Sequence, residues 1–219
     1  MRAESRSRVA VSCFRALLLA SFFSLAIAPR PAAAAPPGSE TLTEAPRALV
    51  AATVRQVLDV LAEPGLDDAQ RSRRIEALAF SVFDFKTMGK LVLARNWKKL
   101  DKEERVVFAE EFRQYLARNY GSRLERYEKA EVEVLRARVE PRNDVTVLTR
   151  VVGSQYDGIE MNYRLRERKG QWKIIDIVVE GVSMLANFRA QFSEVVSREG
   201  VDGLLNAMRN RNAETDPTP

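Results

Sequence analysis

The chain has 219 residues, 46% of them hydrophobic and 30% charged, with no histidine and one cysteine, Cys13. The missing histidine excludes Ser-His and Cys-His nucleophile systems, histidine metal sites and the usual general base near neutral pH. The formal net charge of +5 is carried mostly by the first 34 residues.

Arg2, Arg6, Arg8 and Arg15 form a positive region ahead of an apolar run at 16–28, and Ala32 to Ala35 offer small-residue cleavage sites. This is the build of a secretory signal peptide. The run of 13 residues is shorter than the about 20 that a membrane-spanning helix needs. Cleavage is expected after Ala34, because a cut after Ala28 or Ala35 would leave a proline immediately downstream. Removing residues 1–34 takes away five arginines and Glu4, leaving 30 basic against 29 acidic residues and a net charge of +1. A nucleic-acid binder would keep a basic excess, so nucleic acid is not expected as a partner. Cys13 precedes the apolar run, so it is no lipidation site and leaves with the leader. The mature chain then has neither disulfides nor thiol chemistry. What is left is one exported domain, long enough for a sizeable core.

Residues 35–44 are rich in Pro and Ala and read as a flexible segment, the folded domain as 45–212, and 213–219 as a disordered tail. Pro46 suits a first helical position, and Val50, Val54, Val57, Leu58 and Leu61 then form one apolar helical face, ended by Pro64 and Gly65. A second helix starts at Asp67, with Ile75, Leu78, Ala79 and Val82 at helical spacing. Asp84 caps a short helix carrying Met88, Leu91 and Val92, which ends near Asn96. Asp101, three residues before Glu104, predicts a capping box. The long helix after it carries Phe108, Phe112, Tyr115, Leu116, Tyr120 and Leu124 on one side. Gly121 inside it costs about 1 kcal/mol against alanine and marks a bend or a close contact.

After Tyr127 the apolar period falls from 3.6 to 2, with strands predicted at 131–139, 145–152, 159–168 and 172–179. The third alternates Ile159, Met161, Tyr163 and Leu165 with polar residues. The fourth is apolar on both faces: Ile175, Ile177 and Val179 on one, Trp172, Ile174 and Val178 on the other. Such a strand must be covered on both sides. The intervening turns are short enough for an antiparallel meander. Glu180 and Gly181 lead into a helix from about Ser183, with Leu185, Phe188, Phe192 and Val196 at helical spacing, and a last helix follows residues 200–202. The fold class is α+β, a four-stranded antiparallel sheet covered by several helices.

Phe83, Asp84 and Phe85, then Met88, Trp97, Leu100 and the spacing of Phe108, Phe112 and Tyr120, resemble the first half of the MlaC family. Residues 170–176 (GQWKIID), then Glu180, Gly181, Val182 and Ser183, then Asn187, Phe188, Arg189, Gln191 and Phe192, resemble its second half. Residues 200–204 resemble its closing helix. Each motif is degenerate alone, but their order and spacing over roughly residues 45–210 are specific. These are periplasmic phospholipid-binding proteins, also called the toluene-tolerance family, with a branch associated with hopanoids. The resemblance implies a soluble periplasmic carrier, not an enzyme and without cofactor or metal. It would shuttle phospholipid, or a hopanoid, between an inner-membrane ABC lipid transporter complex and an outer-membrane lipoprotein–porin complex, maintaining outer-membrane lipid asymmetry. The domain is expected to be a monomer.

The resemblance also implies an apolar cavity between sheet and helices. Keeping a two-tailed lipid's about 30 methylenes from water is worth on the order of 20 kcal/mol, so a carrier must cover them almost completely. The candidate lining is Met161, Tyr163, Ile175 and Val179 on strands, with Phe85, Met88, Phe112, Tyr115, Val182, Leu185 and Phe188 beside them. A stripe of such residues at helical spacing is equally the mark of a filled core.

Arg95, Trp97, Lys98 and Lys99 form a basic and aromatic cluster that meets lipid head groups or an acidic partner, or else is a solvated face. Arg189 bridges to Asp176 or Glu180, or lies at the cavity mouth. Asp176 is a structural carboxylate or a catalytic acid, and Ser183 reads as a helix cap, since no histidine exists to activate it. Gly181 gives the chain room to turn or lets a lipid approach its backbone. A glycosidase using Asp176 and Glu180 is the competing enzyme reading. Four residues along a strand put their α-carbons about 13 Å apart, against the roughly 5–9.5 Å wanted between paired carboxyl groups. A third reading is a periplasmic adaptor with a filled core.

Overall fold

Local chemistry sets most of the helix starts. The computed structural model describes residues 39–120, 130–153 and 155–213. The expected leader with its cleavage site, Gly121, Leu124 and the tail beyond 213 lie outside these residues. Helix α1 (Ser39–Ala62) begins earlier than Pro46 predicts, so residues 39–44 are helical and Pro46 lies inside the helix. That proline forgoes one backbone hydrogen bond, and its ring is buried. Helix α2 (Asp68–Val82) is opened by a full capping box. The Gln70 N–H donates to Asp67 Oδ1 at 2.7 Å, and the Asp67 N–H donates to Gln70 Oε1 at 3.1 Å. Asp84 caps α3 (Phe85–Leu93) by accepting the Thr87 N–H at 2.8 Å. A 3₁₀ turn (Ala94–Lys99) carries the chain on to α4 (Lys102–Tyr120). There Asp101 and Glu104 exchange the two bonds of the box, at 2.8 and 2.7 Å.

The sheet has five strands in the order β1 (Glu131–Val139), β2 (Val145–Val152), β3 (Met161–Arg168), β4 (Gln171–Val179) and β5 (Val182–Ser183), all neighbours antiparallel. The fifth strand corrects the expected four. Glu180 (φ 49°) and Gly181 (φ 77°) both take the left-handed conformation that a tight two-residue hairpin requires. The chain therefore folds back and pairs Val182 with Val179 before the helix begins. Glu180 is held in this uncommon conformation by Glu160, whose carbonyl accepts its N–H at 3.0 Å and whose N–H donates to its carboxylate at 2.6 Å. Helix α5 (Met184–Ala213) is broken at Gly200 (φ 73°) into the two C-terminal helices the sequence predicts.

The apolar side chains fall into two clusters. One is all-helical, with Met88, Trp97, Phe108, Phe112, Leu116, Phe188, Phe192 and Met208 buried between α3, α4 and α5. Its rings interlock, Phe112 meeting Phe188 edge-on at 5.6 Å and Phe192 at 5.7 Å. Such pairs add about 0.5–1.5 kcal/mol each beyond the area they bury. The other cluster packs Val50 of α1 onto Val145, Val147, Leu165 and Ile174 of the sheet.

Candidate functional site

Between these two clusters the molecule is hollow. A cavity of about 540 Å³ is walled by α1 and α2, by the last turns of α4, by one sheet face and by the β5–α5 junction. That volume lies within the roughly 300–1,000 Å³ of ligand pockets. Helix α1 contributes Val50, Val54, Val57, Leu58 and Leu61, and α2 contributes Ile75, Ala79 and Phe80. Phe83 and Phe85, together with Leu116, Ala117 and Tyr120, continue the wall, while the sheet supplies Val132, Val151, Met161, Tyr163, Ile174, Ile177 and Val179. Two of the few polar groups on it are satisfied within the chain. The Thr53 hydroxyl donates to the Leu49 carbonyl at 2.8 Å, and the Tyr163 hydroxyl donates to the Met161 sulfur at 3.3 Å. Such walls offer shape and dryness and few directional bonds.

One irregularity decides which β4 residues face this space. Arg164 pairs with Asp176, but the next residue, Leu165, pairs with Ile174, so Ile175 is an extra residue in the strand. A bulge of this kind reverses the alternation beyond it. Ile174, Ile177 and Val179 thus share the cavity wall, and Ile175 is buried away from it. This corrects the regular alternation read from the sequence.

Of the other residues expected in the lining, Phe85, Met161, Tyr163, Val179 and Val182 are on the wall. Met88, Phe112, Leu185 and Phe188 are instead buried in the all-helical cluster, and Tyr115 packs against its edge. Their stripe is real, but it faces other helices, which fill the space with aromatic rings. Sequence reasoning passed over α1 and α2, although the apolar faces around Val54 and Ala79 were visible as helical stripes.

The basic and aromatic cluster separates. Trp97 is only 7% exposed, lying edge-on to Phe108 at 6.3 Å, and Arg105 stacks over its ring at 5.8 Å. Arg95, Lys98 and Lys99 remain exposed. Arg95 and Arg189 both line a small depression of about 260 Å³, together with Asn96 and Ser193.

Asp176 is 1% exposed and its bonding is structural. It accepts the Ser183 hydroxyl at 2.6 Å and the Leu185 N–H at 3.0 Å, with Arg164 at 3.7 Å as the nearby cation. The Ser183 oxygen in turn accepts the Ala186 N–H at 3.0 Å. Arg164, not Arg189, is therefore its ionic neighbour. Glu180 belongs to the exposed hairpin and is bonded to the Glu160 N–H, so the two carboxylates serve different elements. Among the described residues no cluster of His, Cys, Asp or Glu could hold a metal ion, and no helix is long and apolar enough to cross a membrane.

At the cavity rim Arg113 pairs with Glu110. Burial pulls the Glu110 carboxyl upward, but hydrogen bonds from Gln114 and Arg113 and the Arg113 charge outweigh it. The group stays below the ordinary carboxylate range.

A helix-covered antiparallel sheet enclosing an apolar, ligand-sized space defines a class of α+β domains that shield a guest from water. The chain belongs to the MlaC family, whose model, described as MlaC protein, matches residues 51–210. It is 28% identical over 105 residues to the toluene tolerance protein ttg2D of Pseudomonas putida, covering 48% of this chain and 49% of that one. It is 23% identical over 127 residues to the intermembrane phospholipid transport system binding protein MlaC of Haemophilus influenzae, covering 55% and 58%. The chain thus spans about half the length of the curated relatives it matches. Its fold is similar to that of a phospholipid-binding protein from Ralstonia solanacearum, solved in complex with a phospholipid. The TM-score is 0.68 and the identity 25%, over 76% of this chain and 96% of that one.

Proposed function

We propose that this protein is a periplasmic lipid carrier that encloses the acyl tails of one lipid and makes no covalent change to it. The observation that carries the reading is the apolar cavity of about 540 Å³ between α1, α2 and the sheet. The Ralstonia solanacearum neighbour, whose structure holds a phospholipid, supports phospholipid as the cargo. Each buried methylene contributes about 0.8 kcal/mol, so apolar walls alone supply most of the affinity. The leader-like first 34 residues support export. A shuttle of this kind takes its lipid from, or gives it to, an inner-membrane ABC transporter complex and an outer-membrane lipoprotein–porin complex, and its action maintains outer-membrane lipid asymmetry.

Native mass spectrometry of gently purified exported protein, followed by organic extraction, tests the reading. A two-tailed phospholipid at one per chain is the expected result. A hopanoid in its place would assign the protein to that branch of carriers. A chain that stays empty after incubation with both lipids would overturn the proposal in favour of an adaptor acting through its surface.

A further inference from the structure

We propose that Arg113 binds the phosphate of the carried lipid and makes the cavity selective for phosphodiester lipids over neutral ones, an inference that rests on the carrier reading. Among the described residues lining the cavity, only Glu76 and Arg113 are charged. Glu76 is an acceptor when ionised and cannot serve a phosphate, so Arg113 is the one cation among these described residues. It projects from the same side of α4 as Leu116, Ala117 and Tyr120, which also line the space. Its side chain is 30% exposed, which places it at the rim. A lipid there changes from apolar tail to charged head group.

Two further observations describe how the guanidinium is held. The guanidinium carbon lies 3.9 Å from the centre of the Phe80 ring, so an aromatic wall residue holds the group against the cavity edge. Its Nε is buried and has no hydrogen-bond partner, although one terminal amino group is engaged by Glu110. That Nε is covered, and Arg71 Nε is unpartnered in the same way, so the remaining terminal amino group of Arg113 is the one left to meet an acceptor. A phosphodiester oxygen is an acceptor of the right charge for it. The apolar surroundings strengthen that contact relative to the same pair in water.

The test is competition for delipidated protein between phosphatidylglycerol and diacylglycerol with identical acyl chains, read as the occupancy ratio in native mass spectra. A charge-assisted contact predicts that the wild-type protein prefers phosphatidylglycerol by about tenfold or more. Arg113→Gln is expected to bring the ratio near one through loss of phosphatidylglycerol affinity. Arg113→Lys, which keeps the charge and loses the planar group stacked on Phe80, retains part of the preference. Should Arg113→Gln fail to fold, an unchanged ratio in Arg113→Lys would overturn the proposal. Glu110→Gln, which releases the guanidinium from its exposed partner, is expected to raise the ratio. Full preference in Arg113→Gln, or a wild-type protein that takes both lipids equally, would overturn the assignment and leave the carrier reading standing. A wild-type protein that takes neither lipid would remove both.

Discussion

The carboxylate of Asp176, in the middle of β4, accepts the backbone N–H of Leu185 in the first turn of α5 at 3.0 Å. The same carboxylate holds Ser183, so a single buried acid ties the last long strand to the helix that closes the aromatic core. Asp176→Ala would strand the Leu185 N–H and the Ser183 hydroxyl, at about 2–4 kcal/mol in denaturant unfolding. Asp176→Asn keeps an acceptor and is expected to lose less. Lipid occupancy of folded Asp176→Asn should equal that of the wild type. Unchanged stability in Asp176→Ala would refute the capping role.

Core and cavity positions should respond in opposite ways. Phe112→Ala removes a ring from the interlocked helical cluster and should cost about 3–5 kcal/mol, visible as an earlier denaturation midpoint. Ala117 lines the cavity, so Ala117→Phe has space to enter and should keep the fold while displacing lipid. Extraction of the two purified variants separates these outcomes. An Ala117→Phe protein with full lipid content would mean that the guest lies elsewhere.

Gly89 in α3 sits where a Cβ would come within 3.2 Å of Phe108 Cδ1 and 3.3 Å of Trp97 Cζ3. Replacing a helical glycine by alanine gains about 1 kcal/mol of propensity, but overpacking costs about 1–3 kcal/mol. Phe108 is fully buried between Trp97, Phe112 and Phe192 and has little freedom to yield. Gly89→Ala is therefore expected to be destabilising by about 1 kcal/mol, and Gly89→Val by more. Thermal unfolding of the pair decides it, and a stabilised Gly89→Ala would show that the rings can shift.

Acid should weaken the β1–β2 corner. Burial pulls the Glu140 carboxyl upward, but hydrogen bonds from Arg138 and Thr146, and the charges of Arg138 and Arg164, outweigh it and bring it below its ordinary 4.5. A carboxyl depressed in the folded state contributes its full stabilisation above the unfolded value, and loses it as pH falls through the folded one. Unfolding midpoints should therefore decline below about pH 4.5. Glu140→Gln should show a shallower decline in that window and, at neutral pH, a loss of about 0.5–1 kcal/mol. A Glu140→Gln profile parallel to the wild type would count against this pair.

Much of this architecture is legible in short stretches of sequence. Asp67, Asp84 and Asp101 mark helix starts because a carboxylate three residues ahead of a free N–H satisfies it whatever the rest of the chain does. Both strands of the first hairpin, Glu131–Val139 and Val145–Val152, are bounded as their two-residue period implies. The fifth strand escaped notice because a pair of residues has no period, and the positive φ of Glu180 belongs to the turn and not to glutamate.

The cavity wall was legible only in part, for a different reason. Val179 and Met161 are on it, whereas Phe112 and Phe188, chosen on the same grounds, fill a core. Apolar periodicity says that a face must leave water, and it is silent about what replaces the water. Trp97 follows the same rule: its flanking lysines mark a surface segment while the ring itself turns inward.

The sequence by itself determined the element order, the capping chemistry, the mixed α+β class and the absence of histidine chemistry, because these depend on residues within a turn or two of one another. Only the tertiary structure decided that α1 packs on the sheet through Val50 while α1, α2 and the sheet leave a hollow beside that contact. It also decided that the bulge at Ile175 puts Ile174 on the cavity face beside Ile177 and Val179, and that Arg113 reaches its rim. Each of these depends on the separation and register of segments distant in the chain, which are set by the summed packing of the whole domain.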